Sequence, residues 1–179
     1  MADNKLQIMA EKFKKTDKTD AVLLVEGRKM HVNKGLLSYH SDFFKALFES
    51  KLNEKNKSEF EIQDCKFRHV AVVLSMVQAE PIMPDKSELD QYMVLIDRFL
   101  IPTAKRQLDI MLTALFKAKK PQCINECIVV ADKYGLEHTL DWLIDRFNIK
   151  DNYLKQLGNV SVPTKARLFD CFLSQMWKS

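Results

Sequence analysis

The chain has 179 residues, 46% hydrophobic and 29% charged, and its 28 basic and 24 acidic side chains leave a formal charge of +4. That length fits one domain, or one domain with a small appendage, and so mild a charge does not mark a nucleic-acid binder, which clusters its basic residues on one face. No apolar run approaches the ~20 residues of a membrane span, and the N-terminus lacks the continuous apolar core of a signal peptide, so a cytoplasmic or nuclear protein is expected.

Taken in order, Leu6, Met9 and Phe13 recur at helical spacing and predict an amphipathic helix over about residues 4–15. A helix that short is unstable alone in water, so its apolar face must pack on its own domain or on another chain. Val22 to Val25 form an apolar run that suits a buried strand. Glu26-Gly27-Arg28-Lys29 reads as a tight turn, with Gly27 free to take positive φ. Met30 and Val32 then alternate with His31 as a short return strand, closing a hairpin. Asn33 can cap a short helix carrying Leu36 and Leu37. Ser41 can cap the next, whose Phe43, Phe44, Leu47 and Phe48 make an aromatic face.

Residues 49–58 are polar and without period, a loop in which Leu52 stands alone. Phe60 and Ile62 alternate with acidic neighbours as a one-sided strand. From Phe67 the period turns helical through Val70, Leu74 and Val77, and Pro81 and Pro84 bracket an irregular segment. Ser87 with Asp90 is a plausible capped start for a helix with Leu89, Met93, Ile96 and Leu100 inward. Pro102 opens another at its first turn, with Leu108, Met111, Leu112 and Leu115 inward. Lys117, Lys119 and Lys120 suit its C-terminal end as solvated charges.

Pro121 begins an all-helical section. Ile124, Ile128 and Ala131 share a face that Gly135 can cap. Leu136, Leu140, Leu143 and Phe147 follow, with Asn148 a second cap candidate. Tyr153, Leu154 and Leu157 suit a third short helix, and Pro163 opens a last one with Ala166, Phe169, Leu173 and Met176, ending at Trp177. A weak repeat, apolar-Asp-basic-aromatic-x-aliphatic, runs through Ile96–Ile101, Ala131–Leu136 and Ile144–Ile149. Each copy marks the last turn of a helix and an anchor into the next, which implies stacked helical hairpins.

No catalytic constellation emerges. His31, His40, His69 and His138 are scattered through different elements, and four glycines form no phosphate loop. Cys65, Cys123, Cys127 and Cys171 sit in apolar contexts where buried thiols are common. Cys123 and Cys127 could share a helix face, but no His or further Cys stands beside them at zinc spacing. The expectation is a protein that is no enzyme and holds no cofactor or metal.

Asp20, the apolar strand, and then Met30-x-Val32-x-Lys34-x-x-Leu37-x-x-x-Ser41-x-x-Phe44-x-x-x-Phe48 resemble the opening of a BTB/POZ domain. The wording Val32-Asn33-Lys34 and Leu37-Ser38-Tyr39-His40-Ser41-Asp42-Phe43-Phe44 is similar to BTB proteins expanded in nematodes, although Asn33 stands where most relatives have His. The resemblance runs to about residue 116, and more loosely to about 158. It implies an α+β, predominantly helical fold: a small sheet flanked by helical hairpins over residues 19–117, a dimerisation helix and link over 1–18, and an all-α, BACK-like extension over 118–179.

It also implies partners. In BTB dimers the helix before the first strand packs on the other subunit, which assigns Leu6, Met9 and Phe13 to a homodimer interface. An acidic residue before the first strand and a basic one after the second form a charged pocket at the seam, positions matched by Asp20 and Lys34. Adaptors of the cullin-3 class carry a hydrophobic-x-Glu motif after the aromatic helix, and Leu52-Asn53-Glu54, following Phe48, matches it. The expected function is a homodimeric adaptor that recruits an unidentified client to a cullin-3-type ubiquitin ligase, with Phe169, Phe172 and Trp177 a candidate client surface. The alternative is a BTB dimerisation scaffold without cullin. Neither nucleic acid nor a membrane is an expected partner.

Overall fold

A computed structural model describes residues 2–50, 58–119, 121, 123–147 and 158–177. Its first element, helix α1 (Ala2–Lys12), leads by a polar turn into strand β1 (Ala21–Val25) and its return strand β2 (Arg28–Val32). The two residues between the strands are both left-handed, Glu26 at φ 49° and Gly27 at φ 70°. That is the backbone of a primed two-residue turn, whose twist matches the strands it joins. Gly27 adopts it freely. Glu26 is held there by a second task, since its Oε2 accepts the Phe67 amide N–H at 2.6 Å. Phe67 opens helix α4 (Phe67–Ser75), and the preceding Lys66 supplies no side-chain cap.

The sheet has three strands in the order β2-β1-β3, and β3 (Glu59–Ile62) runs parallel to β1. Leu23 sits opposite Met30 on one side and Phe60 on the other, and all three are buried. A parallel neighbour needs a long crossover. Here the intervening chain carries helices α2 (Lys34–His40) and α3 (Asp42–Glu49). Both expected caps form: Asn33 Oδ1 accepts from Leu36 N at 2.7 Å, and Ser41 Oγ from Phe44 N at 3.0 Å. Helix α4 is buried along almost its whole length and forms the centre of the core.

Helix α5 (Leu89–Arg98) follows a 3₁₀ turn over Lys86–Glu88. Ser87, expected to cap it, is instead the donor: its amide and hydroxyl both bond to Asp85 Oδ1, at 3.1 and 2.8 Å. The aspartate two residues earlier is thus the true cap of this turn. Helix α6 (Pro102–Ala118) begins at its proline, as the spacing requires.

The chain divides into two compact units, residues 1–108 and 109–179. The second holds the end of α6 with helices α7 (Ile124–Tyr134), α8 (Glu137–Ile144) and α9 (Val162–Met176). Ile128, Ala131, Leu136, Leu140, Leu143 and Phe147 are buried in it. The expected helix around Tyr153, Leu154 and Leu157, and the expected cap at Asn148, lie outside the described residues.

The repeat acquires a physical meaning. In its first copy Leu100 N bonds to Asp97 O at 3.2 Å and Ile101 N reaches back to Ile96 O at 3.0 Å. In the second, Gly135 N bonds to Asp132 O at 3.0 Å and Leu136 N to Ala131 O at 2.8 Å. Both are left-handed caps with a 6→1 bond, and the aliphatic residue after each is buried. Leu100, expected to point inward, is exposed and stands at φ 51°, where Gly135 stands at φ 58°. Left-handed geometry costs a side-chain-bearing residue roughly 1–2 kcal/mol, partly offset by the extra freedom glycine has when unfolded. Leu100→Gly is therefore expected to raise the urea midpoint, by up to about 1 kcal/mol in stability. A lowered midpoint in far-UV circular dichroism would show that the leucine side chain has a packing role.

Candidate protein-interaction site

The aromatic face of α3 is the best-defined feature of the first unit. Phe44 is fully buried, its ring centre 5.1 Å from Phe43, 5.2 Å from Phe99 and 5.9 Å from Phe48. Phe48, half-buried at the C-terminal end of α3, also packs edge-on against Phe60 of β3 at 5.1 Å. Ser41 locks the cluster from the other end, donating its hydroxyl to the Phe99 carbonyl at 2.5 Å. The helix that precedes the Leu52-Asn53-Glu54 motif is thus clamped at both ends. The motif itself, within residues 51–57, lies outside the described residues.

A second concave surface runs along α1. Met9 is 8% exposed and Phe13 1%, both covered by their own chain. Phe13 is held further by its carbonyl, which accepts the His31 N–H of β2 at 2.8 Å. Leu6 is half-buried, and Ile8 is open at 56%. Between α1, α4 and the segment after α4 lies a groove of about 740 Å³ that includes Leu6, Ile8, Met9, Val72, Ile82 and Met83. Lys12 Nζ donates to the Ala79 carbonyl at 2.9 Å at one end, and Lys5 meets Asp85 at 3.8 Å at the other. Met9 and Phe13 therefore anchor the helix to its own domain, while Leu6 and Ile8 border the open groove.

The groove has a polar wall. Glu88 binds Arg68 with Oε1 and accepts the Tyr92 hydroxyl with Oε2 at 3.3 Å. His69 Nε2, buried 3.4 Å from the same Oε2, is too poorly aligned for a hydrogen bond. Burial pushes the Tyr92 hydroxyl up to about 12, so it stays a neutral donor.

Asp20 and Lys34 come together, through the backbone. Asp20 Oδ1 accepts the Lys34 amide N–H at 2.7 Å, adding a second side-chain acceptor to the start of α2. The Lys34 ammonium instead lies 5.5 Å over the ring of Phe60. Asn33 completes this corner: besides capping α2 it donates Nδ2 to the Lys18 carbonyl at 2.8 Å, tying the polar link to the helix.

In the second unit the residues that matter most do not stand out by pattern. Asp109 is buried on α6, and its two carboxylate oxygens accept the amide N–H groups of His138 and Thr139, each at 2.8 Å. These are orphan donors in the first turn of α8, whose own cap position, Leu136, has no acceptor to offer. The one local signal is an acidic residue set among Leu108, Met111 and Leu112 on an otherwise apolar face. Asp132 does similar work for α9, accepting Ser161 N at 2.7 Å and the hydroxyls of Ser161 and Thr164 at 2.6 and 2.5 Å. Burial works to raise the Asp132 carboxyl, but the hydroxyls of Ser161 and Thr164, the Ser161 amide and Lys165 together hold it below its ordinary value.

Among the described residues no group of three or more His, Cys, Asp or Glu side chains could hold a metal ion, and no helix is long and apolar enough to cross a membrane. What this arrangement can do is present surfaces: a clamped aromatic helix, a groove along α1, and an exposed face on α9.

Comparison with known proteins agrees with that reading. The family model for the BTB/POZ domain matches residues 9–115. A BTB/POZ domain-containing protein of Caenorhabditis elegans is 32% identical over 161 residues, 82% of this chain and 48% of the relative. BTB and MATH domain-containing protein 36 of the same organism is 32% identical over 84 residues, 47% of this chain and 26% of the relative. BTB and MATH domain-containing protein 15, also from that organism, is 27% identical over 130 residues, 73% of this chain and 46% of the relative. The chain thus spans less than half the length of each of these relatives.

Proposed function

The chain belongs to the BTB/POZ family of protein-interaction domains, and from that premise we propose that it is a homodimeric adaptor that recruits a protein client to a cullin-3-type ubiquitin ligase. The observation that carries the proposal is a juxtaposition. In the sequence Leu52-Asn53-Glu54 begins three residues after the end of α3, and α3 is fixed by the Phe43, Phe44, Phe48, Phe60 and Phe99 cluster. A hydrophobic anchor beside a charge, close in sequence to a clamped helix, suits a partner pocket, because a few buried anchors carry most of the energy of an interface. In this reading Phe48 and Leu52 supply apolar contact and Glu54 supplies orientation. Leu6 of α1, with the Asp20–Lys34 corner, contributes to the seam between two copies, while Met9 and Phe13, expected there, are taken up by their own domain. A dimer presents the client twice and adds avidity.

Calorimetry of the full chain with the N-terminal domain of cullin-3 tests this, with light scattering for mass. Binding at about micromolar affinity or tighter is expected. Leu52→Ala with Glu54→Ala should weaken it at least ~30-fold, the effect of losing an anchor worth about 2 kcal/mol or more. A well-folded dimer that does not bind would leave the scaffold reading, in which the BTB domain assembles a regulatory complex without cullin.

A further inference from the structure

Helix α9 has a face packed within its own unit and a face exposed to solvent. On the inner face Leu168 and Thr164 are buried, Cys171 Sγ donates to the Ile144 carbonyl at 3.4 Å, and Gln175 Nε2 donates to the Phe147 carbonyl at 2.6 Å. On the opposite face Val162, Ala166, Phe169, Leu173 and Met176 are all exposed, Val162 at 78%. Their spacing is four, three, four, three, the heptad alternation of a coiled-coil seam. Trp177, 89% exposed, extends the edge of the same stripe. Five apolar side chains and a tryptophan within an arc of about 100° on one helix are more than scattered surface residues.

We propose that this stripe is a self-association surface, and that its occupant is α9 of a second copy of this chain, packed parallel and in register. The flanking residues decide the partner and the direction. With Val162, Phe169 and Met176 at the d positions and Ala166 and Leu173 at the a positions, Lys165 falls at g and Asp170 at the following e. In a parallel pair each g residue faces the e residue five positions on in the partner. Lys165 then meets Asp170 of the second copy, twice by symmetry, and Phe172 meets Trp177. Set antiparallel, g faces g and e faces e, so Lys165 and Asp170 never meet: with Phe169 opposite Leu173 of the second copy Asp170 falls against Asp170, and with Phe169 opposite Ala166 it falls against Pro163. The stripe is therefore self-complementary in one direction. This surface lies on the second unit, separate from the α1 seam, and does not require cullin binding.

The test is disulfide trapping in the full chain, because it reads contact at one position whatever other dimer contact exists. Leu173 faces its own symmetry mate in the parallel seam, whereas Ser174 is turned aside. Under mild oxidation Leu173→Cys should form a covalent dimer at least about tenfold faster than Ser174→Cys or the wild-type thiols, as effective concentration demands. Adding Lys165→Glu to Leu173→Cys should abolish that advantage. Mixing this double variant with Asp170→Lys/Leu173→Cys should restore it, since only the mixed pair has opposite charges at both contacts. Equal rates at 173 and 174 would overturn the proposal, as would a rate at 173 that Lys165→Glu leaves unchanged. All four substituted positions, 165, 170, 173 and 174, are exposed, and circular dichroism checks that the helix is retained.

Discussion

Replacing Phe99 by alanine is expected to destabilise the first unit by roughly 3–5 kcal/mol, the range for truncating a fully buried phenylalanine. Phe99 has no exposed surface, and its ring centre lies 5.2 Å from both Phe43 and Phe44. The loss has three parts: the transfer of the ring out of water, the cavity left among rigid aromatic neighbours, and the offset ring–ring contacts. Its carbonyl also receives the Ser41 hydroxyl, so a shift of the backbone here disturbs the cap of α3 as well. Phe99→Leu, which keeps most of the volume, should lose much less. Far-UV circular dichroism in urea measures both, and equal losses for the two variants would refute the cavity argument. If the adaptor reading holds, Phe99→Ala also weakens cullin binding without touching the motif, because α3, which precedes the motif and carries Phe48, loses its clamp.

Asp109→Ala is expected to be the most damaging single change in the second unit. It strands two amide N–H groups, of His138 and Thr139, at a buried helix start. Each stranded buried donor costs about 1–3 kcal/mol, and the loss of a carboxylate at the positive end of α8 adds to it. A total of about 3 kcal/mol or more follows. Asp109→Asn retains one acceptor oxygen but sets an NH₂ group against the second amide, so it should lose an intermediate amount. Both tryptophans, Trp142 and Trp177, belong to the second unit, so their fluorescence in urea follows the affected region. Trp142 is a good reporter because its ring stacks on Phe116 at 6.4 Å and lies under the Arg146 guanidinium at 4.2 Å. An unchanged fluorescence midpoint for Asp109→Ala would mean that water replaces the carboxylate at no loss.

Phe99 and Asp109 differ in how legible they are in the sequence. Phe99 belongs to a motif that recurs in the chain, apolar-Asp-basic-aromatic-x-aliphatic, and its place after a helix with an aliphatic anchor behind it can be read directly. Asp109 breaks an apolar face and can be noticed, yet nothing near it in the sequence names its partners, which lie 29 and 30 residues away. The shared Asp of the repeat is a warning against overreading such patterns. Asp132 organises the start of α9, while the side chains of Asp97 and Asp145 are exposed at their helix ends.

What the sequence determined by itself is whatever depends on a few consecutive residues. The hairpin turn follows from Gly27, the starts of α2 and α3 from Asn33 and Ser41, the start of α6 from Pro102, and the end of α7 from Gly135. In each case the controlling interaction closes within about four residues, so local chemistry is sufficient. The tertiary structure alone decided the rest. It set β3 parallel to β1, buried Met9 and Phe13 beneath their own domain, turned Leu100 outward, gave the starts of α4 and α8 to Glu26 and Asp109, and tied Ser161, the cap of α9, to Asp132. The physical reason is common to all of them. A helix start leaves donors that any acceptor can satisfy, and an apolar stripe can pack on any apolar surface. Which acceptor and which surface are chosen depends on what the folded chain brings within reach.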